Sequence, residues 1–134
     1  MHHRTELSLL PGKFSVCRLP VAAELPAWIF QENLFAVVRT EDELSMVCLQ
    51  ESVPASVVSE AGWRRLKVHG PLDFSLVGIL ASIVAPLAEA GVSIFAISTY
   101  DTDYVLIKEE QLETAFRALI QAGFKVKNYD NLFA

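Results

Sequence analysis

Histidine and cysteine are scarce in this 134-residue chain, with three of the first and two of the second. That scarcity removes whole classes of chemistry. His2 and His3 stand at the extreme start and are left out of the fold argument, which leaves His69 as the one imidazole in the expected folded region. Neither a His-based catalytic triad nor a His-rich metal centre can be drawn from it. Cys17 and Cys48 belong to no CxxC pair and are too few for a disulfide framework. Two unpaired thiols in a reducing compartment are expected, with Cys48 a small buried hydrophobe in a strand. The six glycines form no phosphate-cradling loop, so no nucleotide cofactor is implied, and no metal is expected. The two-carboxylate turn Asp101-x-Asp103 is a weak signal for Mg²⁺.

Long apolar runs are lacking too. None reaches the ~18 residues that span a bilayer, and no apolar leader core precedes Leu7, so a cytoplasmic protein is expected, with no membrane partner. Positive charge is also short, the net charge being −5. Arg64, Arg65 and Lys67 form the only local basic cluster, and alternation along a strand accounts for them, so no nucleic-acid partner is expected.

Core material, by contrast, is ample, at 52% hydrophobic residues. A chain of this size buries about two-thirds of its unfolded surface, as one domain or two small ones. Gly70 to Ile107 organises the rest. A helix from about Phe74 to Ala90 carries Leu76, Ile79, Leu80, Ile83, Val84 and Leu87 at helical spacing, with Asp73 and Ser75 as candidate caps and Gly91 as its stop. Pro86 lies inside it and removes one amide bond. Two strands follow, joined by the polar turn Ser98 to Asp103. The helix start and this turn are expected side by side at one edge of the sheet.

An α-amino acid needs donors for its carboxylate and acceptors for its ammonium. Free amides around Ser75, Leu76 and Val77, at the positive end of a helix, meet the first need. Asp101 and Asp103 meet the second, with hydroxyls from Ser98, Thr99 and Thr102. Plainer roles compete: Ser75 as an ordinary cap, Asp101 as a turn former, and Leu76, Val77, Ile79 and Leu80 as core. Gly78 inside a helix costs ~1 kcal/mol against Ala, which suggests close approach by a ligand or another backbone.

Ser75 to Leu80, followed at helix distance by Val92-Ser93-Ile94-Phe95-Ala96-Ile97-Ser98-Thr99-Tyr100-Asp101-Thr102-Asp103-Tyr104, resembles the ACT domain. More narrowly, it resembles the tandem-ACT subfamily that includes the CASTOR-type cytosolic arginine sensors. The resemblance covers the second half of the chain best. It implies an amino-acid-binding regulatory module with a ferredoxin-like βαββαβ fold. By that resemblance, ligand contacts fall on Ser75, Leu76, Val77, Gly78 and Ile79, and on Ile97, Ser98, Thr99, Tyr100, Asp101, Thr102 and Asp103.

A shift of sixty residues lays Pro11–Val16 on Pro71–Leu76, Phe35-Ala36-Val37 on Phe95-Ala96-Ile97, and Glu41 and Glu43 on Asp101 and Asp103. In the first copy the pattern predicts a strand at Leu7 to Leu10, a proline-interrupted helix at Ala22 to Phe30, and a hairpin of Leu34 to Arg39 with Leu44 to Leu49. A helix from Val53 to Glu60, closed by Gly62, and a strand from Trp63 to His69 follow. A helix from about Glu110 to Ala122 and a strand from Phe124 to Lys127 close the second copy. Two full units need eight strands and seven can be counted, so the expected fold is α+β, with two ferredoxin-like (ACT, βαββαβ) lobes whose antiparallel sheets share or exchange an edge strand. Residues 1–62 form a degenerate ACT-like lobe and residues 63–134 an ACT domain with the ligand-site motif.

The turn Val38 to Glu43 loses the Ser-Thr-Tyr run and gains Arg39, so the first lobe is not expected to duplicate the site. These readings imply a free-amino-acid sensor with no catalytic domain, working as a homodimer. The resemblance and the acidic turn favour arginine or another polar or basic ligand. The alternative is a partner-binding ACT module, or a regulatory subunit of an amino-acid biosynthetic enzyme, with a vestigial pocket.

Overall fold

A computed structural model describes residues 6–31, 33–69 and 78–128. Seven strands and two helices are present among them: β1 (Glu6–Leu19), β2 (Ala36–Arg39), β3 (Leu44–Leu49), β4 (Val58–Val68), α1 (Ile79–Glu89), β5 (Ile94–Ser98), β6 (Asp103–Lys108), α2 (Leu112–Gln121) and β7 (Lys125–Asn128). Short 3-10 turns occupy Ala27–Ile29, Gln50–Ser52 and Glu109–Gln111. The chain divides into two compact units, Met1–Pro11 with Arg64–Ala134, and Gly12–Trp63. Both boundaries fall inside a continuous strand, the first in β1 and the second in β4.

In the unit that contains both helices the strand order is β7-β1-β4-β6-β5. β5 and β6 pair antiparallel from Ile94↔Ile107 to Ser98↔Asp103, whereas β1 and β7 pair parallel from Glu6↔Lys125 to Leu9↔Asn128. Alternate residues of the strands supply Leu7, Leu9, Leu66, Val68, Val105 and Ile107 to a core completed by Ile79, Ile83 and Leu87 of α1 and Leu112, Ala115, Phe116 and Leu119 of α2. Fully burying each of these side chains larger than alanine contributes ~1.5–3 kcal/mol. Both helices stop where glycine takes positive φ: Gly91 lets Val92 N–H reach Leu87 O at 2.9 Å, and Gly123 lets Phe124 N–H reach Leu119 O at 3.0 Å.

The start of α1 departs from expectation. Phe74 to Val77 lie outside the described residues. Gly78 is not interior to the helix but stands at its N-cap with φ +91°, its carbonyl accepting from Ser82 N–H at 2.9 Å. A Cβ built on Gly78 meets none of the described residues within 4 Å. The backbone conformation accounts for the glycine.

In the unit Gly12–Trp63 the order is β2-β3-β1-β4, with β1 and β3 antiparallel from Phe14↔Leu49 to Leu19↔Leu44. Its small core holds Cys17, Ile29, Leu44, Met46 and Cys48, with Trp28, Val37, Val53 and Val57 packed against it. The helices expected at Ala22 to Phe30 and Val53 to Glu60 do not form. The first is reduced to the turn Ala27–Ile29 after an extended Pro26 (φ −73°, ψ 150°). The second is absent because Val53, ahead of Pro54, is held extended (φ −85°, ψ 123°), and Val58 to Glu60 already belong to β4. Pro11 to Val16, laid by the repeat on a turn and helix start, instead run through the interior of β1. There Ser15 pairs with Cys48 and Val16 with Val47, part of the antiparallel ladder that makes this segment a strand.

Both cysteines are free and buried. Burial, reinforced by the adjacent Cys17, pushes the Cys48 thiol up to about 12. Burial raises the Cys17 thiol as well, against a hydrogen bond with Cys48.

Candidate functional site

The hairpin of β5 and β6 is closed by threonines. Thr99 N–H donates to Thr102 O at 2.8 Å, Thr99 hydroxyl also donates to that carbonyl at 3.1 Å, and Thr102 N–H donates back to Thr99 Oγ1 at 3.2 Å. A hydroxyl that bonds its own turn is what holds such a segment in one shape. The Thr102 hydroxyl then donates to the carbonyl of Val68, the last residue of β4. This bond fastens the turn to the strand end from which the chain departs toward α1.

The first hairpin repeats this construction. Thr40 N–H donates to Glu43 O at 2.9 Å, and Thr40 Oγ1 accepts from Glu43 N–H at 3.1 Å. The closing pairs Arg39↔Leu44 and Ser98↔Asp103 are therefore equivalent, at an offset of 59 residues rather than sixty. Asp101 corresponds to Asp42, and Asp103 corresponds to Leu44 instead of Glu43. The gapless shift of sixty misaligns the turns because one residue of slip does not disturb apolar matching elsewhere, while a ladder fixes register to the residue.

Strand alternation then fixes the direction of Asp103. It shares a face with Val105 and Ile107, both fully buried in the core against Ile79 and Ile83 of α1. Leu44 is likewise fully buried, whereas Asp103 is half-buried at the rim of its core face, with Ser98 paired beside it. Ile97 pairs with Tyr104 and points to the opposite face, where the Arg65 guanidinium stands 6.0 Å from the Tyr104 ring centroid.

Of the residues singled out from sequence, Ser98, Thr99, Thr102 and Asp103 are thus brought together around the latched turn, with Asp101 exposed on it and Tyr100 79% exposed. Gly78 is exposed at the head of α1, and Ile79 packs in the core at 8% exposure. Ser75, Leu76 and Val77 lie outside the described residues.

Sequence reasoning missed a polar cluster at the same strand end. His69 N–H donates to Glu6 O at 3.0 Å, its Nε2 lies 3.8 Å from Glu6 Oε1, and it hydrogen bonds the hydroxyl of Ser8, which is 1% exposed. Glu6 Oε2 also lies 3.4 Å from Lys127 Nζ and 3.7 Å from Lys125 Nζ. Because β1 lies between β7 and β4, residues from both ends of the chain meet there, and nothing local in the sequence marks such a meeting.

Among the described residues no group of three or more His, Cys, Asp or Glu side chains could hold a metal ion, and no helix is long and apolar enough to cross a membrane. A groove of about 470 Å³ lies between the ends of α1 and α2, lined by Pro86, Glu89, Ala90, Ala118, Gln121 and Ala122. It is at the far end of α1 from Gly78.

Residues 58–121 match the family model described as ACT domain, and residues 12–56 match a model of an N-terminal domain. The human cytosolic arginine sensor for mTORC1 subunit 1 is 33% identical over 100 residues, 66% of this chain and 30% of the human protein. The chain thus matches less than a third of that relative's length. Among solved structures, protein Atu0741 from Agrobacterium tumefaciens is 35% identical with a TM-score of 0.90, over 95% of each chain. The regulatory subunit of aspartate kinase from Thermus thermophilus, 18% identical over 82% of this chain and 91% of its own, shares the fold with a TM-score of 0.56. With an ACT model on its second half and a full-length structural relative at this identity, the chain belongs to the ACT domain family.

Proposed function

We propose that this chain is a regulatory module that senses a free amino acid, and that its ligand binds between the Thr99–Thr102 turn and the head of α1. One observation carries the reading: Asp103 stands where the equivalent hairpin has the buried core residue Leu44. A carboxylate on a core face is costly unless it has a partner, and the ammonium of an amino acid is such a partner. Asp101 and the hydroxyls of Ser98, Thr99 and Thr102 add acceptors around it. Amides of Ser75, Leu76, Val77 and Gly78 would take the carboxylate, with Tyr100 closing over from the exposed turn. Ile79 and Ile97 serve as scaffold on this reading.

Kinship with a protein named as an arginine sensor, together with two carboxylates on one turn, favours a basic or other polar amino acid. We read the two units as two ACT-like lobes that share the long strands β1 and β4, the site belonging to residues 63–134 and residues 1–62 acting mainly as scaffold. Occupancy would act on lobe packing or on a protein partner, in a cytoplasmic homodimer. A ligand of ~10 heavy atoms at about 0.5–0.8 kcal/mol each binds with a Kd from high micromolar to micromolar.

A thermal-unfolding screen against the twenty amino acids at millimolar concentration tests this. A ligand at ~100 Kd adds ~2.7 kcal/mol, a rise of roughly 5–15 °C for a chain of this size. One amino acid giving that shift in the parent and none in Asp103→Ala supports the site. Twenty flat curves on folded, ligand-free protein would overturn the sensor reading in favour of a partner-binding ACT module, or an enzyme's regulatory subunit, with a vestigial pocket.

A further inference from the structure

We infer that the unit Gly12–Trp63 holds a soft-metal site, in which Cys17, Met46 and Cys48 together bind one monovalent copper ion through their three sulfur atoms. The inference is independent of the amino-acid site, to which none of these residues belongs.

The ladder between β1 and β3 sets the three side by side. Cys17 stands opposite Met46, and Ser15 stands opposite Cys48. Because side chains alternate along a strand, these two pairs are neighbours on one face of the sheet, a two-by-two block of three sulfurs and one hydroxyl. All four side chains are buried, at 1% exposure or less. The two thiols touch, the Cys48 S–H donating to the Cys17 sulfur, and neither is tied up in a disulfide.

Three sulfur donors in hydrocarbon surroundings select among metals. The rest of this core is Ile29 and Leu44, with Trp28, Val37, Val53 and Val57 packed against it. Thiolate and thioether are soft ligands that suit Cu(I). Ca²⁺ and Mg²⁺ take oxygen ligands instead, and structural zinc takes four donors in a closed tetrahedron. The third donor is a thioether, which sets this cluster apart from metal sites made of His, Cys, Asp and Glu. Packing alone is served by any aliphatic side chain, as Leu44 on the same face of β3 shows, whereas a soft ion uses all three sulfurs. Trp28 adds an indole beside the cluster, the aromatic group best suited to a neighbouring cation.

Binding is ligand exchange, with no electron moved. Copper leaves its carrier ligand, Cu–Sγ bonds form at Cys17 and Cys48 as their two protons pass to solvent, and Met46 Sδ donates a lone pair. The site gains one net negative charge, which the Ser15 hydroxyl relieves by donating to a thiolate. Residues 20–30 give the ion a way in. They supply Ala23, Trp28 and Ile29 to the cluster, and they are held by local turns: Ala23 N–H to Pro20 O, Ile29 N–H to Pro26 O and Phe30 N–H to Ala27 O. A segment held by turns rather than by a ladder opens at low cost.

The test is anaerobic titration of the reduced full chain with Cu(I) in competition with bicinchoninate, read by thiolate-to-copper charge-transfer absorption, with circular dichroism as the check on folding. The parent is expected to take up one equivalent of Cu(I) and to ignore Zn²⁺. Cys17→Ala and Cys48→Ala, which keep the site apolar, are each expected to lower the affinity by at least about a hundredfold. Met46→Leu, close in volume, is expected to lower it about tenfold. X-ray absorption at the copper edge of the loaded parent is expected to show three sulfur neighbours, and it decides the matter if the cysteine variants do not fold. A folded, reduced parent that leaves all copper with the chelator overturns the inference. Uptake that survives the cysteine variants or is indifferent to Met46→Leu overturns it too, as does a copper edge with nitrogen or oxygen neighbours.

Discussion

Asp103 and Leu44 hold the same position in two hairpins closed by the same threonine turn, one a half-buried carboxylate and the other a fully buried core residue. Asp103 is on that account the residue where stability is given up. Asp103→Leu is expected to raise stability by about 1 kcal/mol, part of the ~1.5–3 kcal/mol that full burial of a leucine contributes. The denaturant midpoint should rise while amino-acid stabilisation disappears. A lower midpoint would mean that the carboxylate is held by the protein itself.

Thr102→Val keeps the shape of the side chain and removes the donor to the Val68 carbonyl. Loss of one such bond costs ~1 kcal/mol of stability. If the latch also positions the turn for ligand, amino-acid affinity falls about tenfold by calorimetry, with Thr102→Ser restoring most of it.

At Gly78 the described residues leave room for a methyl group, but the backbone is at φ +91°. Gly78→Ala should therefore destabilise by ~1 kcal/mol through strain alone. An unchanged midpoint in urea would show that α1 can begin with an ordinary cap.

The thiols give a pH dependence of definite sign. Burial raises both above their ordinary value, Cys48 to about 12. The unfolded chain releases these protons first, from ~8.5 upward. Their contribution to stability is thus complete below that pH and is lost progressively toward pH 12. Urea midpoints should fall more steeply above pH 8.5 in the parent than in the Cys17→Ala, Cys48→Ala double variant. Parallel profiles would show that other groups govern the alkaline limb.

Several elements were legible from their residues alone. β3 and the turn from Ser98 to Asp103 coincide with the alternation and turn chemistry that predicted them, and both helices end where Gly91 and Gly123 were expected to stop them. These are local matters, settled by a few neighbouring φ angles and by period. The family was legible too, because its motif is a contiguous run across one helix start and one turn.

What the chain does at a distance was not. The residues expected to be helical at Val53 to Glu60 became loop and strand because a proline and β-branched side chains met a long β1 ready to pair with them. The repeat register of 59, the direction of Asp103 and the meeting of Glu6, Ser8 and His69 all depend on which strands lie side by side. The amino-acid sequence by itself determined the elements with strong local signals, the glycines that end the helices and the polar turn that marks the candidate site. Only the tertiary structure decided that β1 lies between β7 and β4 and that a carboxylate sits at the rim of a core face. Hydrogen bonding across a ladder couples residues sixty places apart, and no local propensity carries that information.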